Sequence, residues 1–102
     1  MFDEHDVLLT PVTPAPAPEI GACEGLGWVR TALASSATVP YAACWNMTGQ
    51  PAVSLPLHWT PGGLPVGVQL VAPYGREDML IRVASQLEQA APWSGRRPPV
   101  HA

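Results

Sequence analysis

The sequence predicts a mixed α/β fold in which helices pack on a sheet, within one small domain over residues 1–102. Two valine- and leucine-rich segments flank a strong turn signal and predict a hairpin. Apolar residues at helical spacing near the end predict a helix that covers this hairpin. Thirteen prolines exclude an all-helical protein.

The first third of the chain combines one strand with a long loop. The apolar run at residues 7–9, closed by Thr10 and Pro11, is typical of a strand buried on both faces, and we place this buried strand within residues 1–13. Residues 14–39 are rich in proline and glycine and predict a loop with an irregular segment. Trp28–Val39 could form a loosely defined helix or remain irregular.

Residues 40–91 predict a helix, a hairpin and a second helix. The short helix spans Tyr41–Thr48, because Pro40 suits a first-turn position and Gly49 suits a C-terminal cap. The hairpin joins residues 52–59 to residues 64–72. In the second strand Val66, Val68 and Leu70 share one face, which the helix bearing Met79, Leu80, Val83, Ala84 and Leu87 would cover.

The last residues, 92–102, predict a tail. Pro92 would end the helix, Trp93 would fold back on it, and Ser94–Ala102 would fray.

Charge and composition exclude several classes of protein. The net charge of −3 and five scattered arginines give no basic stripe for nucleic acid. No apolar run approaches the length of about 20 residues that a membrane-spanning helix needs. The acidic start is unlike a secretory leader, so we expect a cytoplasmic location. Cys23 and Cys44 are then expected to be free thiols rather than a disulfide.

Two stretches resemble a known family. They are DVLLTPVTPAPAP, residues 6–18, and WNMTGQPAVSLPLHWTPGGLPVGVQLVAPYGREDMLIRVASQLE, residues 45–88. Together they resemble the C-terminal portion of the amidase signature family, which implies a C-terminal fragment of an α/β/α fold and a single partial domain. The family hydrolyses amides with a serine, a second serine in a cis peptide and a lysine, all in its N-terminal two-thirds. The present chain has no lysine.

The serines and histidines of this chain do not replace those catalytic residues. Ser35 and Ser36 lack the flanking glycines that let a loop bind an anion, and Ser54 is interpreted as a strand residue. The histidines His5, His58 and His101 are too scattered for a metal site. We therefore predict no catalytic residue, no metal and no cofactor in this chain.

The resemblance implies a role in the substrate-pocket wall for five residues: Thr10, Thr13, Tyr41, Ala42 and Trp45. Tyr41 and Trp45 lie four residues apart, so they share a helical face and could form a flat apolar wall. The alternative is that both pack in the core. We predict a structural role at the helix end for three residues: Asn46, Gly49 and Pro51.

These observations lead to two hypotheses. The first is the C-terminal portion of an amide hydrolase, inactive alone, whose partner is the missing N-terminal catalytic part or a second copy bound through open sheet edges. A small amide would be the substrate of the intact enzyme only. The alternative is a non-catalytic interaction module that retains part of the amidase scaffold.

Overall fold

The computed structural model describes residues 1–97, which form an antiparallel three-stranded sheet and three helices. Along the chain these are β1 (Leu8–Pro11), α1 (Trp28–Thr38), α2 (Pro40–Thr48), β2 (Ala52–Trp59), β3 (Pro65–Val71) and α3 (Glu77–Ala90). The order of strands across the sheet is β1-β3-β2. The predicted α/β class is confirmed. Residues 98–102 of the predicted tail lie outside the described residues.

The predicted hairpin is confirmed as β2 and β3, which are joined by a turn over residues 60–64. Ser54 pairs with Gln69, and the ladder shifts between Leu55 and His58 at a bulge. Pro56 lies in this bulge, where a residue without an N–H costs the ladder no hydrogen bond. At the turn Gly63 adopts a φ of 84°, which favours glycine over other residues.

The core lies between the sheet and α3. Leu55, Leu70, Ala72 and Leu80 are buried together, and Trp93 packs against them. Each fully buried leucine contributes roughly 1.5–3 kcal/mol of transfer free energy. The predictions that a helix covers the Leu70 face and that Trp93 folds back are therefore confirmed.

The prediction that the first strand is buried on both faces is wrong for this chain. β1 lies at the sheet edge and pairs with β3 alone. Leu9 is 66% exposed. Burial alternates along β1, because Leu8 and Thr10 are half-buried and Leu9 and Pro11 are exposed, so the described chain covers only one face of the strand.

The segment before α2 is helical, which resolves the two alternatives for Trp28–Val39. α1 has eleven residues but buries none of them. The helix predicted for Tyr41–Thr48 is confirmed as α2, with Pro40 in its first turn and Gly49 as its left-handed C-cap.

Candidate functional site

A buried glutamine joins two of the predicted wall elements. Gln69 projects from β3 and is only 5% exposed. Its Nε2 donates hydrogen bonds to Thr10 Oγ1 at 3.0 Å and to the carbonyl oxygen of Tyr41 at 3.2 Å. One side chain therefore connects the end of β1 to the first turn of α2. Because a buried amide left without partners is costly, this bridge fixes the position of α2 against the sheet.

Sequence reasoning missed Gln69 as a site residue. A signal was present, since Gln69 is the one polar residue in the strand PVGVQLV. A polar side chain in an otherwise apolar strand requires a partner when it is buried. What the sequence did not show was which elements would supply the two acceptors.

A groove of about 480 Å³ lies on the same face of the sheet. One wall is the proline-rich segment Val12–Pro18, and the end of α1 forms the other with Ala37 and Thr38. Thr13 lies in this wall, where its hydroxyl donates a 2.8 Å hydrogen bond to the Ala15 carbonyl. The groove is mostly apolar and carries hydroxyl groups, which suits a small, largely apolar molecule with one polar group.

The floor of the groove depends on a glycine. A Cβ atom at Gly67 would lie 2.6 Å from Ser54 Oγ and 3.0 Å from Val12 Cγ2. The absence of a side chain lets Val12 close over β3 and leaves the Ser54 hydroxyl at the groove floor. Ser54 is exposed and belongs to β2, as interpreted from the sequence.

The aromatic pair on α2 has unequal environments. Tyr41 is exposed, whereas Ala42 and Trp45 are half-buried. Among the described residues, the Trp45 indole nitrogen is buried without a hydrogen-bond partner. The structure thus places Thr10 and Tyr41 around Gln69 and places Thr13 in the groove. It does not bring all five predicted wall residues into one pocket, and their contact with a substrate stays a prediction.

The turn after α2 is held mainly by backbone groups. Gly49 has a φ of 77°, and its N–H donates to the Trp45 carbonyl at 2.8 Å. The Pro51 carbonyl accepts a 3.1 Å hydrogen bond from the N–H of Ala72. Asn46 is exposed. The structural role predicted for Asn46 stays a prediction.

Within residues 1–97, the charged pair with the shortest contact lies outside the groove, at the start of α3. Arg76 Nε is 2.9 Å from Asp78 Oδ1, and Arg76 Nη2 is 3.3 Å from Oδ2. The hydrogen bond from Arg76 lowers the pKa of Asp78, and the same contact raises the pKa of Arg76. The pair supports the first turn of α3, where a carboxylate also favours the helix dipole.

Residues 1–97 contain no cluster of metal ligands, no disulfide and no helix that could span a membrane. No three His, Cys, Asp or Glu side chains in residues 1–97 lie close enough to share a metal ion. Cys23 and Cys44 are free and exposed. No described helix is both long and apolar enough to cross a membrane.

Comparison with known proteins identifies the scaffold. The family model described as Amidase matches residues 1–81. The 6-aminohexanoate-cyclic-dimer hydrolase of Pseudomonas sp. (strain NK87) is 45% identical over 104 residues, which cover 91% of this chain and 20% of the hydrolase. The putative amidase AmiB2 of Mycobacterium tuberculosis (strain ATCC 25618 / H37Rv) is 43% identical over 98% of this chain and 22% of its own length.

A solved structure shows the same arrangement. The structure of a 6-aminohexanoate cyclic dimer hydrolase matches with a TM-score of 0.81 and 42% identity, over 92% of this chain and 21% of that chain. The chain thus spans about a fifth of the length of the relatives it matches. From its matched residues and its fold, this chain belongs to the amidase family.

Proposed function

We propose that the chain is the C-terminal portion of an amide-bond hydrolase of the Ser-cisSer-Lys type, and that it supplies sheet structure and part of the substrate-pocket wall. One observation supports this proposal most strongly. The chain matches about a fifth of its hydrolase relatives and contains no lysine in 102 residues. The chain alone would therefore not hydrolyse amides.

The chemistry of the groove agrees with a binding role. A serine nucleophile needs a base that accepts its proton. The nearest histidine along β2 is His58, about 13 Å from Ser54 by the rise of a strand. That distance is too long for proton transfer. The groove can contact a substrate through apolar walls and hydroxyls, while the reacting groups would come from the rest of the enzyme.

The substrate that we propose is a small amide, bound by the intact enzyme only. The groove volume of about 480 Å³ falls in the range of small-molecule sites. Two relatives are named for hydrolysis of the 6-aminohexanoate cyclic dimer, so this amide is the first substrate to test. The partner would be the catalytic part of the amidase or a second copy of this chain. We retain the cytoplasmic location as a proposal.

A segment exchange tests this function. In the chimera, residues 1–102 replace the matching fifth of the Pseudomonas hydrolase, and hydrolysis of the 6-aminohexanoate cyclic dimer is followed. We expect the chimera to retain activity and the purified chain alone to have none. A folded chimera without activity would contradict the assignment of pocket-wall function.

The predicted wall is tested within the same chimera. Tyr41→Ala should raise KM about five- to tenfold, the loss expected for one aromatic contact. Ser35→Ala, an exposed change on α1, serves as the control and should leave KM unchanged. Equal KM values for the two variants would show that Tyr41 is not part of the substrate-pocket wall.

One observation favours the alternative, an interaction module without catalysis. The aromatic ring of Tyr41 is exposed beside the half-buried Trp45 on α2, as in surfaces that bind proteins. This alternative predicts capture of one protein in a stoichiometric complex, lost in both Tyr41→Ala and Trp45→Ala. Activity of the chimera would favour the amidase function instead.

A further inference from the structure

Helix α1 carries its apolar side chains on the side that faces away from the rest of the chain. At 100° per residue, Trp28, Val29 and Leu33 fall within one 140° sector. Their exposed fractions are 83%, 49% and 65%. The half-buried residues of α1 lie on the opposite side and are small or polar: Thr31, Ala34 and Thr38. The apolar face of α1, defined here as Trp28, Val29 and Leu33, is therefore uncovered by residues 1–97.

Capping and first-turn charges do not replace the packing that the apolar face of α1 lacks. Gly27 occupies the N-cap without a side-chain hydrogen bond, and the first turn holds no acidic residue. A helix of eleven residues is marginal in water, and in proteins most of its stability comes from packing an apolar face. Packing of this face against another apolar surface would therefore stabilise the helix.

The area of the apolar face of α1 limits the kind of partner that can bind to it. A helix of this length is about 17 Å long and 10 Å wide, so its footprint is a few hundred Å² at most. A stable dimer needs about 800 Å² from each partner. The α1 face alone is too small for that, so a partner that binds it would also need contacts elsewhere on the chain.

The amidase fold offers such a surface. In the solved hydrolase, the elements that match this chain with a TM-score of 0.81 make up 21% of the polypeptide. We propose that the apolar face of α1 docks an apolar surface on the four-fifths of the amidase fold that this chain lacks. The inference rests on the proposed function, and it names the partner of that function: the remainder of an amidase polypeptide.

The test compares one substitution in two settings. Leu33→Asp in the chimera should lower Tm by about 3–5 °C, because it buries a carboxylate in an apolar contact. In the isolated chain the same substitution changes an exposed residue, so circular dichroism and Tm should be unchanged. Ile81→Asp is the matched control, since Ile81 is an apolar residue on α3 that is 69% exposed. It should shift the Tm of the chimera by less than about 2 °C.

Two outcomes would overturn the proposal. A shift of less than about 2 °C for Leu33→Asp in the chimera would show that α1 is uncovered there. Dissociation of a dimer of the isolated chain by Leu33→Asp, with no change in the Tm of the chimera, would show that a second copy covers α1. Because Tm needs no turnover, a stable chimera without activity would refute the proposed function and leave the docking inference standing.

A second measurement applies if the chimera does not accumulate. The tagged full chain is co-expressed with the Pseudomonas hydrolase from which the matching fifth has been deleted. We expect the chain to capture the truncated hydrolase and Leu33→Asp to abolish capture. Failure of the unmodified chain to capture it would overturn the proposal.

Discussion

The side-chain amide of Gln69 donates a hydrogen bond to the hydroxyl of Thr10 over 3.0 Å. The two residues are 59 positions apart in sequence and directly opposite in the sheet register. The same nitrogen also reaches the Tyr41 carbonyl of α2. Gln69 is thus the polar connection between the strand that leads into the groove and the helix that bears the aromatic pair.

Gln69→Leu should lower the free energy of unfolding by about 1–3 kcal/mol, because Thr10 and Tyr41 would lose their donor in a partly buried place. Urea denaturation of the purified variant measures the loss. Gln86→Leu, at an exposed position on α3, is the matched control and should change stability by no more than about 0.5 kcal/mol. A loss no larger than that of the control would contradict the bridging role of Gln69.

Gly67→Ala should destabilise the chain by about 1–3 kcal/mol, because the new methyl group would meet Ser54 Oγ and Val12 Cγ2. Thermal unfolding measures this effect. The added substitution Ser54→Ala should restore part of the stability, since it removes the nearer atom. Gly95→Ala is the control, because a Cβ there meets nothing within 4 Å. An unchanged Tm for Gly67→Ala would show that Ser54 and Val12 do not pack closely against Gly67.

The Arg76–Asp78 pair should contribute a pH-dependent stability. The hydrogen bond from Arg76 lowers the pKa of Asp78 in the folded chain, so the contribution is present above the unfolded pKa of Asp and disappears as the pH falls through the lower folded pKa. In an NMR titration of the side-chain carboxyl, Arg76→Gln should raise the Asp78 pKa. An unchanged Asp78 titration in this variant would contradict the contact.

Arg96 should stabilise the C-terminal turn through Trp59. Its guanidinium carbon lies 4.0 Å from the centre of the Trp59 ring, in cation–π geometry. Arg96→Gln should reduce stability by about 0.5–1 kcal/mol, measured by urea denaturation. Arg97→Gln removes an equal charge from the neighbouring exposed position and should have a smaller effect. Equal effects would point to net charge rather than to the ring contact.

The parts of the fold that sequence predicted well are those stabilised within the chain. The Thr60–Gly63 turn and the alternation of Val66, Val68 and Leu70 specify the hairpin, and its own helix α3 covers it. Pro40 and Gly49 similarly mark the two ends of α2. These signals are local or concern neighbouring elements, so periodicity and turn chemistry are sufficient to predict them.

The parts that sequence predicted poorly depend on contacts beyond the chain or between distant elements. The apolar run that includes Leu9 predicted a strand buried on both faces, and the described chain covers only one side of it. The segment that forms α1 gave weak periodicity, and the described chain buries none of its residues. The Gln69 bridge joins three elements, and no pattern within one of them indicates the other two.

We propose that this chain contributes structure and pocket wall, and no catalysis, to an amidase. The rate of 6-aminohexanoate cyclic dimer hydrolysis tests it most directly, measured for the purified chain and for the chimera with the Pseudomonas hydrolase. We expect turnover by the chimera and none by the chain. Hydrolysis by the chain alone, abolished by a serine-directed sulfonyl fluoride, would contradict it.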